Sequence, residues 1–300
     1  MHDSFYFNDI ESVRDRINLF KRLMPRVNIF YAMKANTDQK LCQEVLDQGL
    51  GVDVASESEI VEIIKLGAKP DDLIFANPIK QPSMLQTAKD LGVKKMTFDS
   101  VEELHKIKNI FPDAECVLRI SSCNTDALYN LSEKFGVFMK DVPEMLQTAK
   151  NLNLRVKGVA FHTGSGGVSI EPYLNSLKDA RKVFDMAKDM GLPEMDLLDI
   201  GGGFTQCLEQ EEGKNFDQVA PRIANMIDEL FEDEIQVIAE PGRLLSESYS
   251  HLVSNIIGTK VINGTRNYYV NTGLYQAYFY PRIYGEPGEF IPVYREVTER

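Results

Sequence analysis

The sequence predicts an α/β fold: a (βα)8 barrel of the TIM type, followed by part of a C-terminal β domain. Three observations predict it. Eight short apolar runs recur along the chain, amphipathic helical patterns fill the gaps between them, and the pattern changes after Gly242 to strand-like runs around an Asn-Gly turn.

The eight runs are Val27–Met33, Gly51–Val54, Leu73–Ala76, Lys95–Phe98, Cys116–Ile120, Val156–Phe161, Asp196–Ile200 and Gln236–Ala239. They are mostly continuous rather than alternating, as strands covered on both faces should be. Eight full units favour a closed barrel over a doubly wound sheet. Between the runs, Ser56 with Glu59 and Ser100 with Glu103 have the spacing of capping boxes, and each pair is followed by apolar residues at helical intervals. A further helix is expected from Glu171 to Met190, with Pro172 in its first turn and Gly191 just past its end. After the barrel, Leu252–Ile262 and Asn267–Val270 read as strands joined at Asn263-Gly264, a hairpin signal. The expected division is an N-terminal segment with the first helix (1–26), the barrel (27–245) and an incomplete β domain (246–300).

Composition excludes several classes. A net charge of −12 argues against a nucleic-acid footprint, which needs a basic face. Charges interrupt every apolar run well short of the ~20 residues a membrane helix requires, and no basic start precedes an apolar stretch as in a signal peptide. The cytosol is the default expectation. Cys42, Cys116, Cys123 and Cys207 form no CxxC pair and read as buried thiols rather than a zinc site.

Catalytic groups of barrels sit at the C-terminal ends of the strands. Those ends carry Lys34, Asp53, Asn77, Asp99, Arg119, His162, Gly201-Gly202-Gly203, and then Glu240 and Arg243. A lysine closing a buried apolar strand is unusual. Desolvation is expected to lower its pKa and so to make a neutral amine available for a Schiff base. The triple glycine follows the seventh run, where barrels commonly bind phosphate, and Arg243 follows the eighth. A tight turn explains the glycines equally well. Glu240 suits a carboxylate facing a pyridine nitrogen, or a cap before Pro241. His162 suits a ring stacked on a cofactor, or a satisfied core histidine. The set, spread over successive strand ends, favours the cofactor reading over each bland one.

The stretches FYAMKAN (30–36), GVDVASESEI (51–60), IFANPIKQ (74–81), MTFDS (96–100), VLRI (117–120), FHTGSG (161–166), LLDIGGGF (197–204) and AEPGR (239–243) carry a resemblance. In that order, the chain resembles the eukaryotic-type ornithine decarboxylases among the alanine-racemase-like pyridoxal phosphate (PLP) enzymes. ANPIKQ and TFDS are similar to the ornithine, lysine and arginine branch, while AEPGR and KAN also suit diaminopimelate decarboxylases.

The resemblance implies PLP as cofactor, held covalently by Lys34, with His162 on the ring and Glu240 at its nitrogen. Ser165, Gly201, Gly202, Gly203, Gly242 and Arg243 would bind the phosphate. Asp53, Glu59 and Arg119 would orient the lysine, the capping box being the rival reading of Glu59. Tyr275 would lie near the substrate. The activity implied is decarboxylation of an amino acid, ornithine to putrescine in polyamine synthesis, by a head-to-tail homodimer.

The pattern departs from the family in three places. Thr272-Gly273 stands where relatives have Asp-Gly. No aspartate falls near Tyr284-Gly285, where a substrate-gripping acid is expected and Glu286 is the nearest carboxylate. The chain ends before the CDGxD-type segment that lends a cysteine and an aspartate across the dimer, and it begins late enough that the first strands of the β domain are expected to be missing. These departures motivate an alternative: a non-catalytic homologue resembling antizyme inhibitors, or a fragment that binds PLP without turnover. An antizyme-type partner is a further expectation. The stretch Lys80–Glu103 corresponds to the region some relatives use for it, although its lysines read more simply as a solvated helix face.

Overall fold

A computed structural model describes residues 3–122, 134–165, 169–204 and 215–273. Tyr275, Tyr284–Glu286, Cys123 and Cys207 lie outside the described residues.

In chain order the elements are β1 (Phe5–Asn8), α1 (Ile10–Leu23), β2 (Val27–Ala32), α2 (Gln39–Asp47), β3 (Gly51–Val54), α3 (Glu57–Lys65), β4 (Leu73–Phe75), α4 (Pro82–Asp90), β5 (Lys95–Phe98), α5 (Val101–Ile110) and β6 (Glu115–Ile120). They continue with α6 (Val142–Asn151), β7 (Arg155–Phe161), α7 (Glu171–Asp189), β8 (Leu197–Asp199), α8 (Phe216–Leu230), β9 (Gln236–Ala239), α9 (Arg243–Ser246), β10 (Ser250–Val253), β11 (Ile256–Ile262) and β12 (Thr265–Val270). Strands β2 to β9 close a barrel of eight, neighbours pairing in sequence order and all parallel. All eight apolar runs become these strands, with ends moved by a residue or two.

Backbone contacts divide the chain into two units, residues 10–249 and residues 1–9 with 250–300. In the first, the strand side chains alternate. Phe30, Ile74, Val117, Ala160, Leu197 and Ile238 fill the inside of the barrel as one buried cluster. Their neighbours in sequence, such as Tyr31, Phe75, Leu118 and Leu198, join the larger layer between strands and helices. At the C-terminal mouth the inward positions turn polar: Asp53, Thr97 and Asp199 are buried there.

In the second unit, β1 pairs antiparallel with β10, and β11 with β12. The expected single run Leu252–Ile262 is two strands, broken at Ser254-Asn255, where Asn255 N–H donates to Asn271 Oδ1 at 2.9 Å. The hairpin turn is as expected: Asn263 and Gly264 take φ of 50° and 79°, the left-handed values that a two-residue turn between twisted strands needs.

The helix starts follow the caps. Ser56 and Ser100 hydroxyls accept from the N–H groups of Glu59 and Glu103 at 3.3 and 3.2 Å. Glu103 does more than cap. It is buried, and its carboxylate takes an ion pair from Lys80 at 3.0 Å and another from Lys106 at 2.6 Å. The expectation of a solvated lysine face holds for Lys89 and Lys94, which are exposed, and is corrected for Lys80 and Lys95. Lys80 is fully buried, its ammonium also donating to the carbonyl of Thr97 at 2.6 Å, and Lys95 is buried too. Under the loop after β4 the Lys80 ammonium meets the carbonyls of Asn77, Pro78 and Thr97 and the carboxylate of Glu103. Lys80→Met would strip that loop of its donor. We expect it to lower stability by about 2–3 kcal/mol in chemical denaturation, whereas exposed Lys89→Met should change it by less than about 0.5 kcal/mol.

Cys42 and Cys116 are buried free thiols, as expected of them. Among the described residues no helix is long and apolar enough to cross a membrane, and no cluster of His, Cys, Asp and Glu could hold a metal ion.

Candidate active site

Lys34 sits in a single 3-10 turn, Met33–Ala35, directly after β2. Two contacts hold the turn to the segment after β9, the strand that pairs with β2 to close the barrel. The Ala32 N–H donates to the Pro241 carbonyl at 3.3 Å, and Gly242 packs so closely that a Cβ there would stand 2.9 Å from the Ala35 Cβ. From this turn the Lys34 ammonium reaches Asp53 Oδ2 at 2.6 Å. The lysine side chain is 48% exposed at the mouth, whereas that of Asp53 is wholly buried on β3. The other oxygen of Asp53, Oδ1, is buried without a partner among the described residues.

The lysine's pKa runs opposite to the expectation from sequence. Desolvation does work to lower it, but the negative charges of Asp53 and then Glu240, with the Asp53 hydrogen bond, outweigh that and push it up to about 12. Lys34 is a cation in the free protein, because the acids that share its mouth cost more to leave unpaired than the ammonium costs to desolvate.

Those acids form a buried group. Glu240, at the end of β9, is hydrogen-bonded to Asp199, at the end of β8. Burial, then the charges of Asp199 and Asp53, raise the Glu240 carboxyl well above its ordinary range. Asp199 is raised to about 6 by burial, while the hydrogen bond from Glu240 and that from Gly201 N–H at 2.8 Å oppose the rise. The Glu240–Asp199 pair shares one proton and keeps one negative charge beside Lys34.

His162 follows β7. Its Nδ1 accepts from Gly164 N–H at 3.0 Å, and burial, with the charges of Arg119 and Lys34, holds its pKa well below the usual value. The imidazole is neutral, with Nε2 next to Gly202, where a Cβ would come within 3.1 Å of it. Arg119 on β6 is half-buried with its guanidinium 5.1 Å from the centre of the Phe135 ring. Asp99 accepts from Gly136 N–H at 2.9 Å, and the Asn77 amide donates to Ala55 O at 3.3 Å. Glu59 takes the Ala55 N–H at 2.6 Å. It closes the start of α3 while still feeling the charges of Asp53 and Lys34. Ser165 is half-buried in the turn after His162, and Arg243 opens α9.

The glycine run is packed too closely against neighbouring backbone to admit side chains. Gly201 and Gly203 have φ of 65° and 97°, and Cβ atoms at 201, 202 and 203 would lie 2.2, 2.4 and 2.1 Å from the carbonyls of Phe161, Glu240 and Gly164. No side chain fits at any of the three positions. Gly203→Ala should cost about 3 kcal/mol of stability from strain and overlap together, read as a fall in the midpoint of thermal unfolding.

Asp199 was not singled out in the sequence. Its signal was present, an acid inside an otherwise apolar run, but DIGGG reads first as the glycines' lead-in. Tyr173 was missed as well, because in α7 it looks like one more core aromatic.

A parallel barrel with a lysine at its mouth, a buried acid pair at the ends of the next two strands around the rim and a glycine run free of side chains beside it defines the class of barrel that holds a pyridoxal group. The site passes the test of fit. A buried acid pair lies next to the lysine, a buried Asp53 oxygen has no donor among the described residues, and the glycine run admits no Cβ. The sequence profile of the pyridoxal-dependent decarboxylases, pyridoxal binding domain, matches residues 10–247. The chain belongs to that family, and its cofactor is pyridoxal phosphate.

The ornithine decarboxylase of Schizosaccharomyces pombe is 38% identical over 91% of this chain and 62% of its own length. Antizyme inhibitor 2 of Xenopus laevis is 37% identical over 92% and 63%. The crystal structure of the Paramecium bursaria Chlorella virus arginine decarboxylase superposes with a TM-score of 0.89 at 35% identity, covering 96% of this chain and 76% of that one. The chain thus spans about 62–63% of the length of these curated relatives.

Proposed function

We propose that this chain is the cofactor-bearing part of an amino-acid decarboxylase that takes ornithine, with Lys34, His162 and Glu240 as its catalytic residues. The observation that carries the reading is Lys34 paired with Asp53 at 2.6 Å, in a mouth that also holds the Glu240–Asp199 acid pair. Pyridoxal phosphate, when bound, supplies the electron sink that accepts the pair left as the α-carboxylate departs.

The residues divide the remaining work. Lys34 Nζ holds the cofactor covalently. Asp53 Oδ2 is placed to take the proton that Nζ must lose, and to aim the lysine. Glu240 holds a positive charge at the ring nitrogen, with Asp199 fixing its orientation. His162 is neutral, as a ring that stacks and excludes water from one face should be. Ser165, Gly201, Gly202, Gly203, Gly242 and Arg243 take the phosphate, while Arg119 and Glu59 set the electrostatics around Asp53. Tyr275 belongs to the substrate side of this proposal, as do a homodimer and a cytosolic location. Light scattering of the purified chain tests the dimer.

Carbon dioxide release from ornithine, lysine and arginine tests the activity. Turnover of ornithine above the other two is the expected result. Absence of release from all three overturns the decarboxylase reading. The match to antizyme inhibitor 2 favours one other reading, a regulator that binds an antizyme-type protein. Cofactor binding without release, together with capture of an antizyme-type protein, would place the chain there.

Lys34 should also set a pH limit. Lys34 is held as a cation up to about 12 by Asp53 and Glu240. Attachment of the cofactor needs the neutral amine, so its rate should rise with pH between 7 and 9, and should rise less steeply in Asp53→Asn. Stopped-flow absorbance reads both.

A further inference from the structure

Two consecutive carbonyls of the glycine run are tied to the protein. Gly201 O accepts from Glu240 N–H at 2.7 Å, and Gly202 O accepts from the Tyr173 hydroxyl at 2.7 Å. No peptide among the described residues is cis, so each of these carbonyls points opposite to the N–H of the residue after it. Fixing Gly201 O on β9 turns the Gly202 N–H away from β9, and fixing Gly202 O on α7 turns the Gly203 N–H away from α7. Glycine rotates freely enough that, without the second anchor, the 202–203 peptide has no reason to keep this orientation.

Tyr173 is built for the role. It is buried on α7, stacked on Phe204 with ring centres 5.2 Å apart and planes 19° apart, and Thr163 contacts its hydroxyl. Phe204 follows the run directly and packs edge-on against Phe20 and Phe216, so the ring is held from both sides. A phenylalanine would fill the same space; only the hydroxyl reaches the glycine carbonyl.

We infer that Tyr173 is a positioning residue for phosphate: its hydroxyl, by holding the Gly202 carbonyl, presents the Gly203 N–H to the cofactor's phosphate. The inference rests on the phosphate reading of Gly201–Gly203 and adds the residue that orients it. Tyr173→Phe keeps the stack and deletes the hydroxyl. Wild type and variant are titrated with pyridoxal phosphate and with pyridoxal, which lacks the phosphate, following the absorbance that depends on Lys34. Inorganic phosphate serves as competitor.

The dissociation constant for pyridoxal phosphate should rise about fivefold in the variant, the worth of one well-placed hydrogen bond. Pyridoxal should bind both proteins equally, and inorganic phosphate should compete about fivefold less well against the variant. Equal weakening of both ligands overturns the inference, since the hydroxyl would then support the fold rather than the phosphate. Unchanged affinity for pyridoxal phosphate overturns it too. A wild-type protein that gives no Lys34-dependent absorbance with either ligand overturns the cofactor site itself, and this inference with it.

Discussion

Lys34→Ala should abolish the near-visible absorbance that the protein gains with pyridoxal phosphate, and with it any release of carbon dioxide. On the proposed reading this side chain supplies the amine that holds the cofactor covalently, and no other described lysine ends a barrel strand. The variant should also unfold more easily. Asp53 is wholly buried, Lys34 is the partner of its Oδ2, and its Oδ1 already lacks one among the described residues. Removing the ammonium leaves a carboxylate unpaired, at a cost of about 2–3 kcal/mol near neutral pH. Lys34→Arg separates the two effects: it restores a cation beside Asp53 but no amine that can attach. Recovered stability with no absorbance is the expected pair of results. Absorbance that survives in Lys34→Ala would show that the cofactor is held elsewhere.

How much of this was legible in the sequence depends on what each residue type reports. The barrel was legible because parallel strands under helices must be apolar on both faces, and eight such runs admit few other arrangements. Lys34, Asp53, Arg119, His162 and Glu240 were legible as a set because strand ends are countable. Their charge states were not. Desolvation of Lys34 can be guessed from the apolar strand before it, but Asp53 and then Glu240, which override it, come beside the lysine only when β3 and β9 lie on either side of β2. Lys80 failed for the same reason: burial under the loop after β4 and the pairing with Glu103 join residues 23 positions apart. Phe5–Asn8 was read as a lead-in to the first helix because a four-residue strand shows itself only through its partner, 240 or more residues later. Tyr173 was hidden by its own suitability for the core, as its function resides in one hydroxyl.

Glu240→Gln should make the cofactor-free protein more stable while crippling the loaded one. In the free protein Glu240 carries a proton shared with Asp199, its carboxyl raised well above 4.5 by burial and by Asp199 and Asp53. A carboxyl whose folded pKa lies above its unfolded value binds more protons in the folded state, so stability is fully present below the unfolded pKa and lost as pH rises through the folded one. For this pair the loss should begin near pH 4 and continue past about 6, the value to which Asp199 is raised. Glutamine keeps the size and a donor for Asp199 and cannot ionise. It should therefore flatten that decline and raise the unfolding midpoint at pH 7 and above, in thermal melts without cofactor. With cofactor the sign reverses. The ring nitrogen needs an anion opposite to remain charged, and an amide cannot provide one. Carbon dioxide release should fall by about 100-fold or more, with cofactor affinity falling far less. A variant equally active, or one destabilised at neutral pH, would mean that Glu240 is ionised in the free protein and that the acid pair does not share a proton.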